Sequence, residues 1–313
     1  MDREEDRAMR KIGVVILLLL PVWLHAEHVF EMGLHGGVAG WNGKTEYVDR
    51  RVVAQGGAHV YYDYFSSHVI GFRLGVTIDM HNASFGKTNY EDAYSTIDVE
   101  DEQMDVIYSI NDLNERYTTY SVGIPLQIAL TAKGFHFLAG ANAVFPLANS
   151  WKQSVRHAAL AVYYPDYDNI VEESYPLAAS RDFEMTQTGR LTLPTVQWWG
   201  AIEAGYAIPI NNWATSYRSY IMVGAYFDYC FSKHKAAQSE AESLIMLSDT
   251  RDGFPLQRLL TPVMEANRQG CKLVREAALF DVGIKISYAI SPYDRASRRR
   301  AYRCQCLPFT YSL

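Results

Sequence analysis

The chain has 313 residues, of which 49% are hydrophobic, 20% charged and 13% aromatic, a composition that excludes a disordered or collagen-like chain. Four cysteines are too few for a disulfide-stapled miniprotein, and a net charge of −6 does not indicate a broad basic surface for nucleic acid. After the N-terminus there is no apolar run of about 18 residues, so an α-helical membrane protein is also excluded.

Residues 1–26 resemble a secretory signal peptide. Arg10 and Lys11 precede an apolar run at 12–20, and a short exit ends on Ala26. This order of charged, apolar and small residues is typical of export signals, and the run is too short to span a bilayer of about 30 Å. We therefore predict cleavage after Ala26 and export to an oxidising compartment, where disulfides are allowed.

The residues that follow alternate with a period of two. In 70–80, the apolar side chains from Ile70 to Met80 occupy every second position, and Gly71, Arg73 and Asp79 fall between them. A strand separates such a sequence into two faces, whereas a helix, with about 3.6 residues per turn, does not. Four further segments alternate clearly, at 30–40, 52–64, 120–130 and 280–288, and three do so less cleanly, at 135–147, 197–210 and 217–230.

The connections between these eight segments differ in length in an ordered way. Short turns (FSSH, TAKG and NNWATS) alternate with long loops at 82–115, 149–194 and 231–273. Short turns at one end and long loops at the other are typical of an outer-membrane barrel. We predict an all-β protein, an eight-stranded antiparallel up-and-down transmembrane β-barrel over residues 27–290. Two alternatives stay open, a ten-stranded barrel with an extra hairpin inside 155–190 and a secreted β-sandwich.

The polar face of these strands carries charges that would lie inside the barrel. Eight strands enclose an interior that side chains fill, so inward charges need partners. We expect a structural ion network in the lumen, with a proton or ion path as the alternative. Aromatic residues near the predicted strand ends, Tyr226 among them, are assigned to interface girdles. The predicted lumen network comprises Glu31, Asp63, Arg73, Asp79, Glu203, Asp281 and Lys285.

Three stretches carry a family resemblance: YSVGIPLQIAL at 120–130, FHFLAGANAVFPL at 135–147 and LFDVGIKISYAI at 279–290. They resemble the Bacteroidetes-type outer-membrane β-barrel proteins (PorT-like, with OmpX/OmpA-like architecture), in which an IPL-type strand, a strand with a central AG and a final VGIK-like strand recur. The resemblance implies a barrel in the bacterial outer membrane and no particular activity. Such barrels usually stop at an aromatic residue of the final strand, whereas this chain continues as a tail at 291–313.

The loops and the tail hold the remaining features. Loop 82–115 has nine acids and one base, Lys87, and we expect it to be a solvated acidic loop rather than a Ca²⁺ site. Helical spacing behind Pro255 predicts a short helical lid at 255–263. Cys230 and Cys271 flank the last loop and form either a disulfide or two free thiols. The tail 291–313, with five Arg and one Asp, is expected to be a basic periplasmic segment.

No catalytic, cofactor or metal motif appears in the sequence. A set of His81, Ser84 and Asp79 can be drawn, but no GxSxG or HExxH pattern supports it. The sequence therefore favours a non-enzymatic outer-membrane protein whose long surface loops serve contact, adhesion or envelope integrity. The alternatives are an enzyme of the outer leaflet and the barrel of a transport or secretion assembly. We expect no cofactor. The expected partners are outer-membrane lipid and lipopolysaccharide, the barrel-assembly machinery and an extracellular ligand, but not nucleic acid.

Overall fold

A computed structural model describes residues 27–66, 69–97, 101–171, 180–190, 193–210, 217–232, 234–235, 243–248, 257–268 and 271–292. The predicted signal peptide and the tail beyond Pro292 lie outside these ranges. Within them, the only helical element is a single 3₁₀ turn at Pro165–Tyr167. No described helix has the length and apolar character needed to cross a membrane.

Eight long strands form a closed antiparallel ring. Their bounds are β1 Glu27–Thr45, β2 Val53–Phe65, β3 Ile70–Lys87, β4 Gln103–Ala132, β5 Phe135–Tyr164, β6 Gln197–Ile210, β7 Tyr217–Cys230 and β8 Val274–Pro292. Each strand pairs with its sequence neighbours, and β1 pairs with β8 to close the ring. The predicted eight-stranded up-and-down barrel is confirmed. Closure leaves the wall without a free edge, as a sheet surrounded by lipid requires.

The ten-stranded alternative is wrong, although an extra strand does exist in the predicted region. Ser180–Gly189 pairs with β5 from Trp151 to Leu160, whereas β6 pairs with β5 between Phe135 and Val144. The extra strand therefore continues the edge of β5 above the point where β6 ends. It lengthens the sheet outward and does not enlarge the ring.

The outward faces of all eight strands expose large apolar side chains, which we call the apolar belt. On β3, Leu74 is 52% exposed, whereas its inward neighbour Arg73 is 1% exposed. A continuous exposed apolar surface of this kind needs an apolar surrounding. The belt includes Phe30, Met32 and Leu34 of β1, Val60 of β2, Ile70, Phe72, Leu74, Val76 and Ile78 of β3, Tyr120, Ile124, Leu126, Ile128 and Leu130 of β4, Phe135 and Phe137 of β5, Ile202 and Ile208 of β6, Ile221, Val223 and Phe227 of β7, and Val282, Ile284, Ile286 and Tyr288 of β8.

The turn between β4 and β5 is as short as the sequence predicts. Its two central residues, Lys133 and Gly134, have φ angles of 50° and 86°. Two left-handed residues in succession match the twist of a β-hairpin, and a glycine takes this conformation without steric cost. A Cβ on Gly134 would also approach the Tyr206 ring to 2.8 Å.

At the opposite end, most of the described residues of the predicted loops 82–115 and 149–194 form strands instead. Strands β4 and β5 are each 30 residues long, about three times the length that crosses a membrane. Together with β3 they project beyond the belt as the outer sheet. Its further strands are Asp49–Arg51, Tyr90–Ile97, Asn169–Val171 and Ser180–Gly189.

The predicted helical lid is also wrong, because Gln257–Leu260 forms a strand that pairs with Ile245–Ser248. Leu260 of this strand is buried in the hydrophobic core that the outer sheet contributes to. We call residues 243–248, 257–268 and 271–274 the cap. Cap residues Leu244, Ile245, Val263 and Leu273 pack with side chains of the outer sheet in one hydrophobic core, so this end of the protein has a packed interior of its own.

Candidate functional site: a plugged lumen and a capped outer sheet

Arg73 is the centre of the lumen. Its guanidinium donates to both carboxylate oxygens of Asp63, at 2.7 and 2.9 Å, and also to Glu31. It lies 3.3 Å from the nearer carboxylate oxygen of Glu203. A planar group with several donors is suited to this role, because a buried carboxylate is tolerated only when it is paired and hydrogen-bonded.

A second cation balances the remaining charge of this cluster. The Lys285 ammonium donates to Glu203 at 2.6 Å and to the Tyr61 hydroxyl at 3.4 Å. Tyr61 also lies beneath the Arg73 guanidinium, whose central carbon is 4.5 Å from the ring centroid. The lower lumen therefore combines three acids and two bases around one aromatic ring.

Towards the outer end, the lumen holds a more acidic cluster. His35 lies 2.8 Å from Asp79 through its Nε2 atom, and Gln55 donates to Asp281 at 2.6 Å. Asp281 also accepts from the Tyr226 hydroxyl at 3.2 Å. Asp228 stands directly opposite Asp281 on the neighbouring strand and lines the same cavity, which has a volume of about 20 Å³. Such a volume admits about one water molecule.

All seven predicted lumen residues are buried inside the ring, in these two clusters. The assignment of Tyr226 to a girdle is wrong, because its side chain is 3% exposed and lies in the lumen. Asp228 and Tyr61 were missing from the predicted network. Every second residue along β2 and β7 faces inward, and Tyr61 and Asp228 occupy such positions. This alternation is the signal in the sequence that identifies them.

Large buried side chains occupy the lumen. Trp199 and Arg73 are among the largest fully buried side chains, and the His81 ring stacks on Trp199 at 4.8 Å between centroids. Because Arg73 and Lys285 are paired with the buried carboxylates of the lower cluster, that cluster is suited to holding the wall together rather than to moving ions.

Outside the belt, one buried carboxylate joins the cap to the outer sheet. A single oxygen of Asp92 accepts from the hydroxyls of Tyr90 and Tyr108, both at 3.2 Å, and from Ser243 at 3.0 Å. Burial, together with the neighbouring Asp92 charge, raises the pKa values of both tyrosines, so they stay protonated and remain donors. Arg268 of the cap approaches the other Asp92 oxygen at 3.7 Å.

A second carboxylate fixes the cap at its centre. Glu115 of β4 is fully buried, and both of its oxygens lie 3.0 Å from the Val263 backbone N–H. It also accepts from the Tyr117 hydroxyl. Burial raises the pKa of Glu115 well above its ordinary value. The cap is thus held to the wall by specific polar contacts within an apolar core.

Comparison with known proteins gives no family assignment. No protein-family model matches the chain, and none of the curated proteins does. Among solved structures, the chain is similar to Ail, the attachment invasion locus protein of Yersinia pestis, determined in complex with the heparin analogue sucrose octasulfate. The identity is 8% and the TM-score 0.22, over 84% of this chain and 98% of that one. The barrel assignment rests on the strand pairing described above.

The structure separates the candidate catalytic set. Asp79 and His81 face the lumen. Ser84 is separated from each of them by an odd number of positions and therefore lies on the outward face, where its hydroxyl donates to the Glu115 carbonyl oxygen at 2.7 Å. No proton relay connects the three. Among the described residues, no group of three or more His, Cys, Asp or Glu side chains is arranged to hold a metal ion.

The two cysteines that flank the last loop are free thiols, so the disulfide alternative is corrected. Cys230 is buried in the outer core, and Cys271 is exposed at the edge of the cap. Although the two strands are neighbours in the ring, Cys271 lies before β8 begins, in a separate two-residue strand that pairs with Asn267–Arg268.

Proposed function

We propose that this protein is a non-enzymatic outer-membrane barrel whose outer sheet and cap form a rigid platform for contact at the cell surface. One observation carries the proposal: the parts of β3, β4 and β5 beyond the apolar belt share a hydrophobic core with the cap. Flexible loops would have no such core. A rigid surface loses little conformational entropy when a partner binds, and this favours recognition.

The belt supports placement in a membrane. Its exposed apolar side chains on β4 run from Tyr120 to Leu130, about 33 Å along the strand and about 25 Å in height at a tilt near 40°. Beyond Tyr120 the outward residues become polar, beginning with Thr118 and Arg116. The height of the belt matches that of outer-membrane barrels.

The far tip of the outer sheet is the part best placed for contact. The 3₁₀ turn Pro165–Tyr167 presents Tyr167 with 62% exposure. Its hydroxyl donates to Glu102 at 2.5 Å, and the Tyr163 hydroxyl donates to Asp168 at 2.9 Å. Aromatic residues such as Tyr are enriched at protein interfaces.

Adherence tests the proposal directly. Cells that display the chain would be compared with cells that display the double variant Asp166→Ser, Tyr167→Ser, on layers of animal cells and on matrix-coated plates. We expect the variant to adhere less, with equal resistance of both cells to bile salts. Equal adherence of both strains and of cells without the protein would contradict the contact role, and loss of bile-salt resistance would favour envelope integrity.

The transport alternative is tested by planar-bilayer recording. Because side chains fill the lumen, we expect the reconstituted protein to give no steady conductance. Stepwise conductance would support the transport role.

A further inference from the structure

Three cations lie in one lateral row on the outward face of the outer sheet. Arg51 stands directly opposite Ser84, Ser84 opposite Arg116, and Arg116 opposite Lys152. Residues directly opposite on neighbouring strands share a face, so the three cations point to the same side. We call Arg51, Arg116 and Lys152 the cationic row.

Within the described ranges, no acidic side chain neutralises this row. All three side chains are exposed, and none has an ion-pair partner in the described part of the chain. Arg116 and Lys152 are directly opposite like charges, an arrangement that destabilises a sheet. Elsewhere the same barrel places opposite charges across from each other, with Lys44 facing Glu276 and Asp112 facing Arg156.

The position of the row relative to the belt is specific. Arg116 lies four residues beyond Tyr120, the last large apolar side chain of the belt on β4, which is 51% exposed. Four residues correspond to about 13 Å along the strand and about 10 Å in height at a tilt near 40°. An Arg or Lys side chain is long enough to bend towards a membrane surface, so the charges of Arg116 and Lys152 lie within reach of the headgroup layer, which is about 5–7 Å deep.

Charge along the outer sheet is graded. The cationic row lies next to the belt, whereas the acids Asp101, Glu102, Asp105, Asp166 and Asp168 lie towards the tip. The Arg51 guanidinium lies over Gly86, two residues beyond Ser84 on the side away from the belt, where a Cβ would collide with it. This gradient keeps negative charge away from the membrane and presents positive charge to it.

From this geometry we propose that the cationic row is a binding site for the phosphate groups of a phosphorylated lipid of the outer leaflet, whose acyl chains lie on the apolar belt below. A phosphate accepts several charge-assisted hydrogen bonds from Arg and Lys, and it removes the repulsion between Arg116 and Lys152. Hydroxyl groups flank the row, with Thr188 directly opposite Lys152. The inference rests on the proposed outer-membrane location.

The test uses the full chain in phosphatidylcholine nanodiscs that contain diphosphorylated lipid A or its dephosphorylated form. Bound lipid A is counted by native mass spectrometry for the wild type, for the double variant Arg116→Ser, Lys152→Ser and for the matched control Arg156→Ser. We expect the double variant to retain the diphosphorylated lipid at least about tenfold less well, since two basic contacts are lost. The control should equal the wild type, because Arg156 faces Asp112.

Three results would overturn the proposal: unchanged retention by the double variant, equal retention of the dephosphorylated lipid, or complete displacement of the lipid by an equimolar amount of inorganic phosphate, which would make free phosphate the ligand. Folding of each variant is checked by heat-modifiable mobility on gels, and Arg116→Lys, which keeps the charge, should retain the lipid. Failure of all variants to enter the nanodisc would instead refute the membrane location itself, and the lipid site with it.

Discussion

Asp63 and Arg73 stand directly opposite each other on β2 and β3, and the guanidinium of Arg73 donates hydrogen bonds to both carboxylate oxygens of Asp63, at 2.7 and 2.9 Å. The pair crosses one side of the wall, and the same guanidinium reaches Glu31 on β1 and Glu203 on β6. One side chain therefore links four strands of the ring.

Replacement of Arg73 by Met is expected to destabilise the barrel by about 3–5 kcal/mol, because three buried carboxylates lose their shared cation. Urea unfolding of the protein in detergent or vesicles, followed by heat-modifiable mobility, measures the change. The double variant Arg73→Met, Asp63→Leu should recover part of the loss. A single variant as stable as the wild type would show that the network contributes no net stability.

The lipid-facing assignment predicts a different response to charge. Leu74→Arg and Ile124→Arg should each cost about 2–4 kcal/mol, because an arginine near the midplane is placed in hydrocarbon. Thr186→Arg on the exposed outer sheet is the matched control and should be nearly neutral. Unfolding in vesicles of stated thickness gives the free energies, and a neutral Leu74→Arg would exclude contact with lipid.

Glu115 predicts a pH dependence of the outer sheet. The pKa is about 4.5 in the unfolded chain and is raised by burial in the folded protein, so the folded state holds the proton more tightly. The contribution of Glu115 to stability is therefore complete below this pH and decreases as the pH rises towards the raised pKa. Glu115→Gln keeps an acceptor for the Val263 N–H and removes this loss.

We expect Glu115→Gln to be more stable than the wild type at pH 7, because the neutral amide avoids the cost of ionising a buried carboxyl group. Thermal unfolding between pH 4 and 8 measures both proteins, and the difference should vanish at the acidic end. A wild type that gains stability relative to Glu115→Gln as pH rises would reverse the sign and contradict the assignment.

The belt was predictable because lipid and lumen make opposite demands on the two faces of a strand. In 70–80 the apolar residues face out and the polar residues face in, and the alternation is visible in the sequence. Once it is known which alternate positions face inward, the residues of the buried network can be identified, including Arg73 and Lys285. What the parity does not give is which inward charges meet, since this depends on the register between strands.

The outer sheet was not predicted because its two faces have the opposite character to those of the barrel, with apolar residues inward and polar residues outward. In β4 the inward residues from Met104 to Ile110 are apolar and fill a core, whereas their outward neighbours face water. The alternation then changes parity between Ile110 and Leu113, and the register shifts again between Tyr120 and Ser121. A high density of acids also resembles a solvated loop. The cap, which covers these strands, joins them through contacts far apart in sequence.

The exposed thiol of Cys271 and one introduced cysteine allow the topology to be tested. Cys271 is exposed on the cap and Cys230 is buried in the outer core, so a membrane-impermeant maleimide added to intact cells should modify Cys271 alone. Cys271→Ser should abolish labelling of this part of the chain.

Because an even number of strands places both ends of the barrel on the same side, Lys133→Cys in the turn between β4 and β5 should react only after the cells are broken. The comparison is made in a chain truncated after Pro292, because the truncation removes Cys304 and Cys306. The same truncated chain also tests whether the basic tail is needed for assembly. Labelling of Lys133→Cys on intact cells, with Cys271 protected, would invert the orientation and place the outer sheet in the periplasm.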